Sequence, residues 1–388
     1  MADFVNSGSV SDDTSQGSYP YFPKGLNIQA AGPLAFANSG TISTPVMLGG
    51  NLVTTSNSGS ITADTRGVAL LITLNQATDG SALSAGLVNS GTISGSSVGM
   101  IGVYLPDYWS SQLPDPANIS LAITNTATGV IAGKDSGLIV YDAPLTLDNA
   151  GTISGGADGM AVMTYADMGH TIRNSGTLVG GVALGGGDDR MENSGTITGP
   201  VLLGEGIDTF VHFAGANSGP LVDGGLGTDY FVFQANGDRA LSATQITGFE
   251  QLTQTGTGTG TYSGTFAVDT IDLQEGTLAV AAGQTLATAG TVAVTDVDSG
   301  ANVVNRGTIT GAFRLGTYNN SCTEYAGSLV TGASMVEPGW TFTEWFSRAT
   351  TPASVRAPDL SSSRWKAPAR WHCPSIRTSS RSHWRART

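Results

Sequence analysis

Short runs of alternating apolar and polar residues, each closed by an Asn-x-Gly or Gly-Gly step, recur along most of this chain. Residues 145–165 show the pattern. Leu145-Thr146-Leu147-Asp148-Asn149 alternates, Ala150-Gly151 breaks it, Thr152-Ile153-Ser154 resumes it, and Gly155-Gly156 precedes Met160-Ala161-Val162-Met163. A two-residue period over a few positions predicts a short strand with one buried face. The Gly and Asn steps predict tight corners, because both tolerate backbone conformations that other residues resist. The corner itself repeats. It reads Asn6-Ser7-Gly8-Ser9-Val10, Asn38-Ser39-Gly40-Thr41-Ile42, Asn57-Ser58-Gly59-Ser60-Ile61 and Asn89-Ser90-Gly91-Thr92-Ile93. It continues as Asn149-Ala150-Gly151-Thr152-Ile153, Asn174-Ser175-Gly176-Thr177-Leu178, Asn193-Ser194-Gly195-Thr196-Ile197 and Asn305-Arg306-Gly307-Thr308-Ile309.

Steps of 19 (38 to 57), 25 (149 to 174) and 19 (174 to 193) residues are each near one coil of a solenoid. The pattern therefore predicts an all-β fold, a parallel β-helix over residues 1–318. In it the Ile, Leu or Val of each repeat points inward onto its counterparts, and the Asn side chains stack into a ladder. Residues 319–388 are expected to form an irregular or disordered basic tail. The steps 57 to 89 and 89 to 125, with Asn125-Thr126-Ala127-Thr128 as a degenerate repeat, are longer, at 32 and 36 residues. The second contains Tyr104, Tyr108 and Trp109 with Pro106, Pro114 and Pro116, and a similar stretch carries Tyr19, Tyr21 and Phe22. Proline cannot donate to a strand ladder, so both read as excursions from the coils. Their aromatic residues either anchor a contact loop or fold back on the solenoid wall.

Composition agrees with this picture. Of 388 residues 54 are Gly and only 12% are charged, against roughly 25% charged in a typical soluble domain. Apolar runs such as Val68-Ala69-Leu70-Leu71-Ile72 fall far short of the roughly 18 residues that span a bilayer as a helix. The net charge of −13 is uneven: residues 1–346 hold 29 acids and 8 bases, whereas 347–388 hold 9 bases and one acid, Asp359. An acidic body repels phosphates, so nucleic acid is not an expected partner. Cys322 and Cys373 are too few for a disulfide framework.

A second corner type appears at Gly185-Gly186-Gly187-Asp188-Asp189, Gly204-Glu205-Gly206-Ile207-Asp208 and Gly224-Gly225-Leu226-Gly227-Thr228-Asp229. It resembles the Gly-Gly-x-Gly-x-Asp element of RTX calcium-binding β-rolls. That resemblance makes Asp188, Asp189, Asp208 and Asp229 candidate calcium ligands, since carboxylate oxygens suit a hard cation. RTX repeats run in tandem at nine residues, whereas these occur once per coil; plain turn-forming corners are the alternative. A third pattern runs Phe249-Glu250-Gln251-Leu252-Thr253-Gln254-Thr255-Gly256, then Tyr262-Ser263-Gly264-Thr265 and Glu275-Gly276-Thr277-Leu278-Ala279-Val280.

Taken in order, the three patterns resemble the passenger region of type V autotransporters over roughly residues 30–315, and the third is similar to the autotransporter-associated β-strand repeat. The resemblance implies a right-handed parallel β-helix on a Gram-negative cell surface. It further implies a non-enzymatic adhesin or stalk, with host or neighbouring-cell surface molecules, or further copies of itself, as partners. The ends depart from the family. The opening residues lack a signal-peptide pattern, and no run of barrel-like strands follows the coils. Asn320-Ser321-Cys322-Thr323 reads as a repeat with Cys in the glycine position. The Arg-, Ser- and Trp-rich tail reads as translated out of frame, or else as a basic arm for nucleic acid or anionic membrane.

Enzymatic signals are faint. Lys134-Asp135-Ser136-Gly137 is only partly like a serine nucleophile turn. His170 is expected at an exposed strand end, and His212, between Val211 and Phe213, is expected to face solvent. No zinc spacing, phosphate loop or dinucleotide fingerprint is present. A β-helical polysaccharide-active enzyme, with acids and Arg on one face, remains the alternative of a different class, and a calcium-stabilised RTX-like module is a third.

Overall fold

A computed structural model describes residues 2–11, 25–63, 68–74, 82–104, 118–296, 300–316, 320–332, 334–336, 341–345 and 371–373. The chain is a β-solenoid of about 12 turns, divided between two compact units. The first holds residues 1–234 and 244–250; the second holds 235–243 and 251–388.

In the first unit each coil contributes three strands, and like strands of successive coils pair in parallel to build three faces. One face is made by Ala2–Asn6, Leu34–Asn38, Leu52–Asn57, Leu83–Asn89, Ile119–Asn125, Leu145–Asn149, Thr171–Asn174, Arg190–Asn193, Thr209–His212 and Tyr230–Gln234. Most of these strands end on the repeat asparagine. After the Ser-Gly corner a second face begins with Thr41–Ser43 and its counterparts. It forms a nine-stranded sheet among the described residues, and the third face, including Val46–Gly50 and Val68–Leu74, forms a ten-stranded one.

The two-residue period decides what is buried. Strand Ile119–Asn125 alternates buried and exposed along its whole length, and Leu145–Asn149 does the same. Inside the coil the repeat residues Ile42, Ile61, Ile93, Ile131, Ile153, Leu178 and Ile197 are all 0% exposed. They stack in register, for example Ile61 beside Ile93 and Ile93 beside Ile131. Each such side chain contributes about 1.5–3 kcal/mol of burial. Toward the end of the unit the core turns aromatic. The Phe210 and Phe231 rings stack at 5.5 Å, and Phe249 meets Phe231 edge-on at 5.2 Å.

The repeat glycine is required by close approach. A Cβ on Gly40 would lie 1.9 Å from the Gly8 carbonyl oxygen, and one on Gly91 would lie 2.0 Å from that of Gly59. Only a bare Cα lets successive corners stack at strand spacing. The aspartate corners add a conformational demand, since Gly204, Gly206, Gly225 and Gly227 all have positive φ.

The second unit repeats the parallel stacking with different residues. Arg239–Ser242, Thr259–Thr265, Thr277–Val280, Asn302–Asn305 and Ser321–Tyr325 form one ladder, which Thr341–Trp345 extends. Gln254, 0% exposed, takes the structural role of the repeat asparagine, donating to the Glu275 and Thr277 carbonyls. The parallel ladder thus runs past residue 318. Register also revises the reading of Cys322. Cys322 pairs with Val303 and Glu324 with Asn305, so Cys322 occupies an inward apolar position, not a glycine corner. It is 2% exposed, as expected for a small apolar side chain. Farther on, Trp371–Cys373 pairs antiparallel with Ser334–Val336.

Candidate functional site

Two corners of the first unit carry polar side chains into its interior. At the first, the asparagines form a continuous amide ladder. Asn6 Nδ2 donates to Asn38 Oδ1, Asn38 to Asn57, Asn57 to Asn89, Asn89 to Asn125, Asn125 to Asn149, Asn149 to Asn174 and Asn174 to Asn193, all at 2.8–2.9 Å. The degenerate repeat at Asn125 is therefore a full rung. The ladder ends where His212 falls in register with Asn193. There Asn193 donates to Ser218 Oγ, which also meets His212 Nδ1 at 2.6 Å. His212 does not face solvent as expected: its ring lies among Phe210, Phe231 and Phe233, because the register, not the local alternation, sets its direction.

The second corner lies just before the same strands. Asp189, Asp208 and Asp229 are 2%, 0% and 0% exposed. Each reaches back one coil to a backbone amide. His170 N–H donates to Asp189 Oδ1 (2.6 Å), Asp189 N–H to Asp208 (2.7 Å), Asp208 N–H to Asp229 (2.8 Å) and Asp229 N–H to Glu250 (2.7 Å). The Oδ2 atom of each aspartate is buried and makes no hydrogen bond. Burial, reinforced by the neighbouring carboxylates, pushes Asp189 up to about 8 and Asp208 up to about 6, and it raises Asp229 as well. Asp188, by contrast, is exposed and accepts the Ile207 N–H at 2.8 Å.

The four candidate calcium ligands therefore do not converge. Three sit inside, one coil apart, each with one oxygen committed to the backbone; the fourth points outward. Among the described residues no group of three or more His, Cys, Asp or Glu side chains is placed to hold a metal ion. Sequence reasoning missed the ends of this column, His170 and Glu250. His170 is 1% exposed, not an exposed strand end. Its Nδ1 accepts the Leu145 N–H at 3.0 Å, and burial lowers its pKa to about 4. A neutral imidazole in that pocket is held as a hydrogen-bond acceptor.

On the outer surface the register assembles a groove of about 320 Å³ beside the asparagine corner. One wall is an outward row that pairs strand to strand, Thr124, Asp148, Arg173 and Glu192. Arg173 lies 3.6 Å from Asp148 and 3.4 Å from Glu192, while Arg190 meets Glu192 at 2.7 Å. The floor is the small-residue row of the repeat, Thr126, Ala150, Ser175 and Ser194, and Phe213 stands at its end. Ser175 and Ser194 hydroxyls donate to the Asn149 and Asn174 carbonyls at 3.3 Å, which fixes that floor. The sequence marks Asp148, Arg173 and Glu192 only as scattered charges, 19 to 25 residues apart.

Other sequence candidates do not join a site. Ser136, 6% exposed, lies within strand Ser136–Val140 and not on an exposed turn. Tyr104 closes strand Val98–Tyr104, while Tyr19, Tyr21, Phe22, Tyr108 and Trp109 lie outside the described residues. The arrangement defines a β-solenoid with a stacked polar interior and a charged outer groove. Searches against family models, curated proteins and solved structures find no match to this chain.

Proposed function

We propose that this protein is a non-enzymatic surface-contact solenoid, an adhesin or stalk of the kind found in autotransporter passengers, displayed outside a bacterial cell. The observation that carries the reading is the unbroken asparagine ladder from Asn6 to Asn193. It specifies a regular scaffold whose outer faces repeat coil by coil. Such a surface suits many weak contacts with host or neighbouring-cell molecules or with further copies of itself. No helix among the described residues is long and apolar enough to cross a membrane. The resemblance of the three sequence patterns supports the same reading. Beads coated with the folded protein are expected to adhere to cells or to one another above an albumin control. Beads that neither adhere nor aggregate would sink the proposal.

One observation favours a second reading. Asp148, Arg173 and Glu192 share an open groove, and carboxylates beside an arginine are the groups a polysaccharide-cleaving enzyme needs for proton transfer and charge stabilisation. Release of reducing ends from a polysaccharide panel, abolished by Glu192→Gln, would favour it over the contact reading.

A further inference from the structure

We propose that the groove over the asparagine corner is a binding site for an uncharged, linear glycan lying along the solenoid axis. The inference deepens the contact reading by naming a ligand class, and its test is made in solution so that the two can fail separately.

Three features of the groove converge on that ligand. The first is periodicity. Thr124, Asp148, Arg173 and Glu192 occupy one outward position in four successive coils. Parallel strands lie about 4.8 Å apart, so the wall offers polar groups at that interval over about 14 Å. A polymer of sugar rings laid along the axis meets one such group per ring or nearly so.

The second is charge. Arg173 stands between Asp148 and Glu192, and Arg190 closes on Glu192. The wall's two acids are thus opposed by Arg173 within it and by Arg190 beside it, so little of its charge is left uncompensated, although residues 1–346 are strongly acidic. A polyanion would meet Asp148 and Glu192, and a polycation would meet the arginines. Hydroxyl groups both donate and accept, so a polyol satisfies the two kinds of partner at once. Ligand pockets commonly combine a largely apolar lining with a few such polar groups.

The third is shape. Ala150, Ser175 and Ser194 are small, and the serine hydroxyls are turned to backbone carbonyls. A flat ring can therefore lie close to the floor with its C–H face down, and Phe213, partly exposed, bounds the end of the row. An extended peptide fits less well. Its amides need a free strand edge, and here the floor is made of side chains.

The test is calorimetric titration of the full chain with hexasaccharides of β-1,4-glucose, β-1,4-xylose and β-1,4-N-acetylglucosamine, with hexagalacturonate and hexa-arginine as charged comparators. At least one uncharged hexasaccharide is expected to bind, more tightly than either comparator. Ser175→Trp, which fills the floor, is expected to weaken binding at least tenfold. Because that variant risks distorting the corner, the nearly isosteric Glu192→Gln is measured beside it, with a several-fold loss expected. Circular dichroism and melting confirm that each variant is folded. Absence of binding by all three uncharged sugars, tighter binding of a charged comparator, or unchanged affinity in both folded variants overturns the proposal. Glycan binding without adhesion of coated beads would leave the groove assignment standing and remove the contact reading alone.

Discussion

Two corners flank the same short strands Thr171–Asn174, Arg190–Asn193 and Thr209–His212, and they treat buried polarity in opposite ways. At one, an amide stacks on an amide. Each Asn has a donor and an acceptor, so every rung satisfies its neighbours on both sides, and the ladder continues over eight residues from Asn6 to Asn193. At the other, carboxyl groups stack, and each bonds a backbone N–H of the preceding coil instead of the next carboxyl group. Asp189, Asp208 and Asp229 each spend one oxygen on a backbone N–H and leave the other buried without a partner. A self-complementary group can repeat without limit, whereas a group that leaves one buried oxygen unpartnered accumulates cost with each coil. That difference accounts for a short aspartate column beside a long asparagine ladder.

The contrast can be broken at its strongest point. Asn125, 0% exposed, accepts from Asn89 and donates to Asn149. Asn125→Leu leaves both neighbours short of a partner, and chemical denaturation should show a loss of about 2–5 kcal/mol. The glycine row gives the next effect. Gly91→Ala pushes a methyl to 2.0 Å from the Gly59 carbonyl oxygen and is expected to cost about 1–3 kcal/mol. Gly8→Ala, at the same motif position but with nothing within 4 Å, should be near neutral. Equal losses at both sites would show that glycine is needed for backbone conformation and not for close stacking.

The aspartate corner predicts a pH effect of opposite sign to the usual carboxylate. Asp189 and Asp208 titrate at about 8 and about 6 in the folded chain, above their ordinary value. The folded state therefore holds more protons than the unfolded one in this range. Stability should be highest below about pH 4 as far as these groups are concerned, and should fall as pH rises through 6 and 8. Asp208→Asn keeps the acceptor for the Asp189 N–H and removes the charge. It should flatten that fall by on the order of 1–2 kcal/mol, read from denaturation midpoints at pH 5 and pH 8. The smallest effect is expected outside. Arg173, about half exposed, pairs with Asp148 and Glu192, and Arg173→Ala should change stability by less than about 1 kcal/mol. A much larger loss would mean that the groove wall is part of what holds the coils together.

Much of this was legible in the primary structure. The repeats marked the corners, the alternation marked the buried Ile and Leu positions, and the Asn spacing marked the ladder. His212 was not legible, since Val211-His212-Phe213 alternates like a surface strand. It turns inward only because pairing with Arg190–Asn193 puts it on the asparagine rung. Cys322 was misplaced for the same reason: Asn320 invited the repeat register, while pairing with Asn302–Asn305 puts Glu324, not Asn320, opposite the repeat asparagine Asn305.

What the sequence determined by itself is the coil, because the strand period and the corner chemistry act over a few neighbouring residues. What the tertiary structure decided is which residues meet between coils. The ladder's partners, the orphaned aspartate oxygens and the Asp148, Arg173 and Glu192 wall all depend on register, and register is set by stacking whole coils on a shared apolar core. A step of one residue would turn every one of those side chains to the other face.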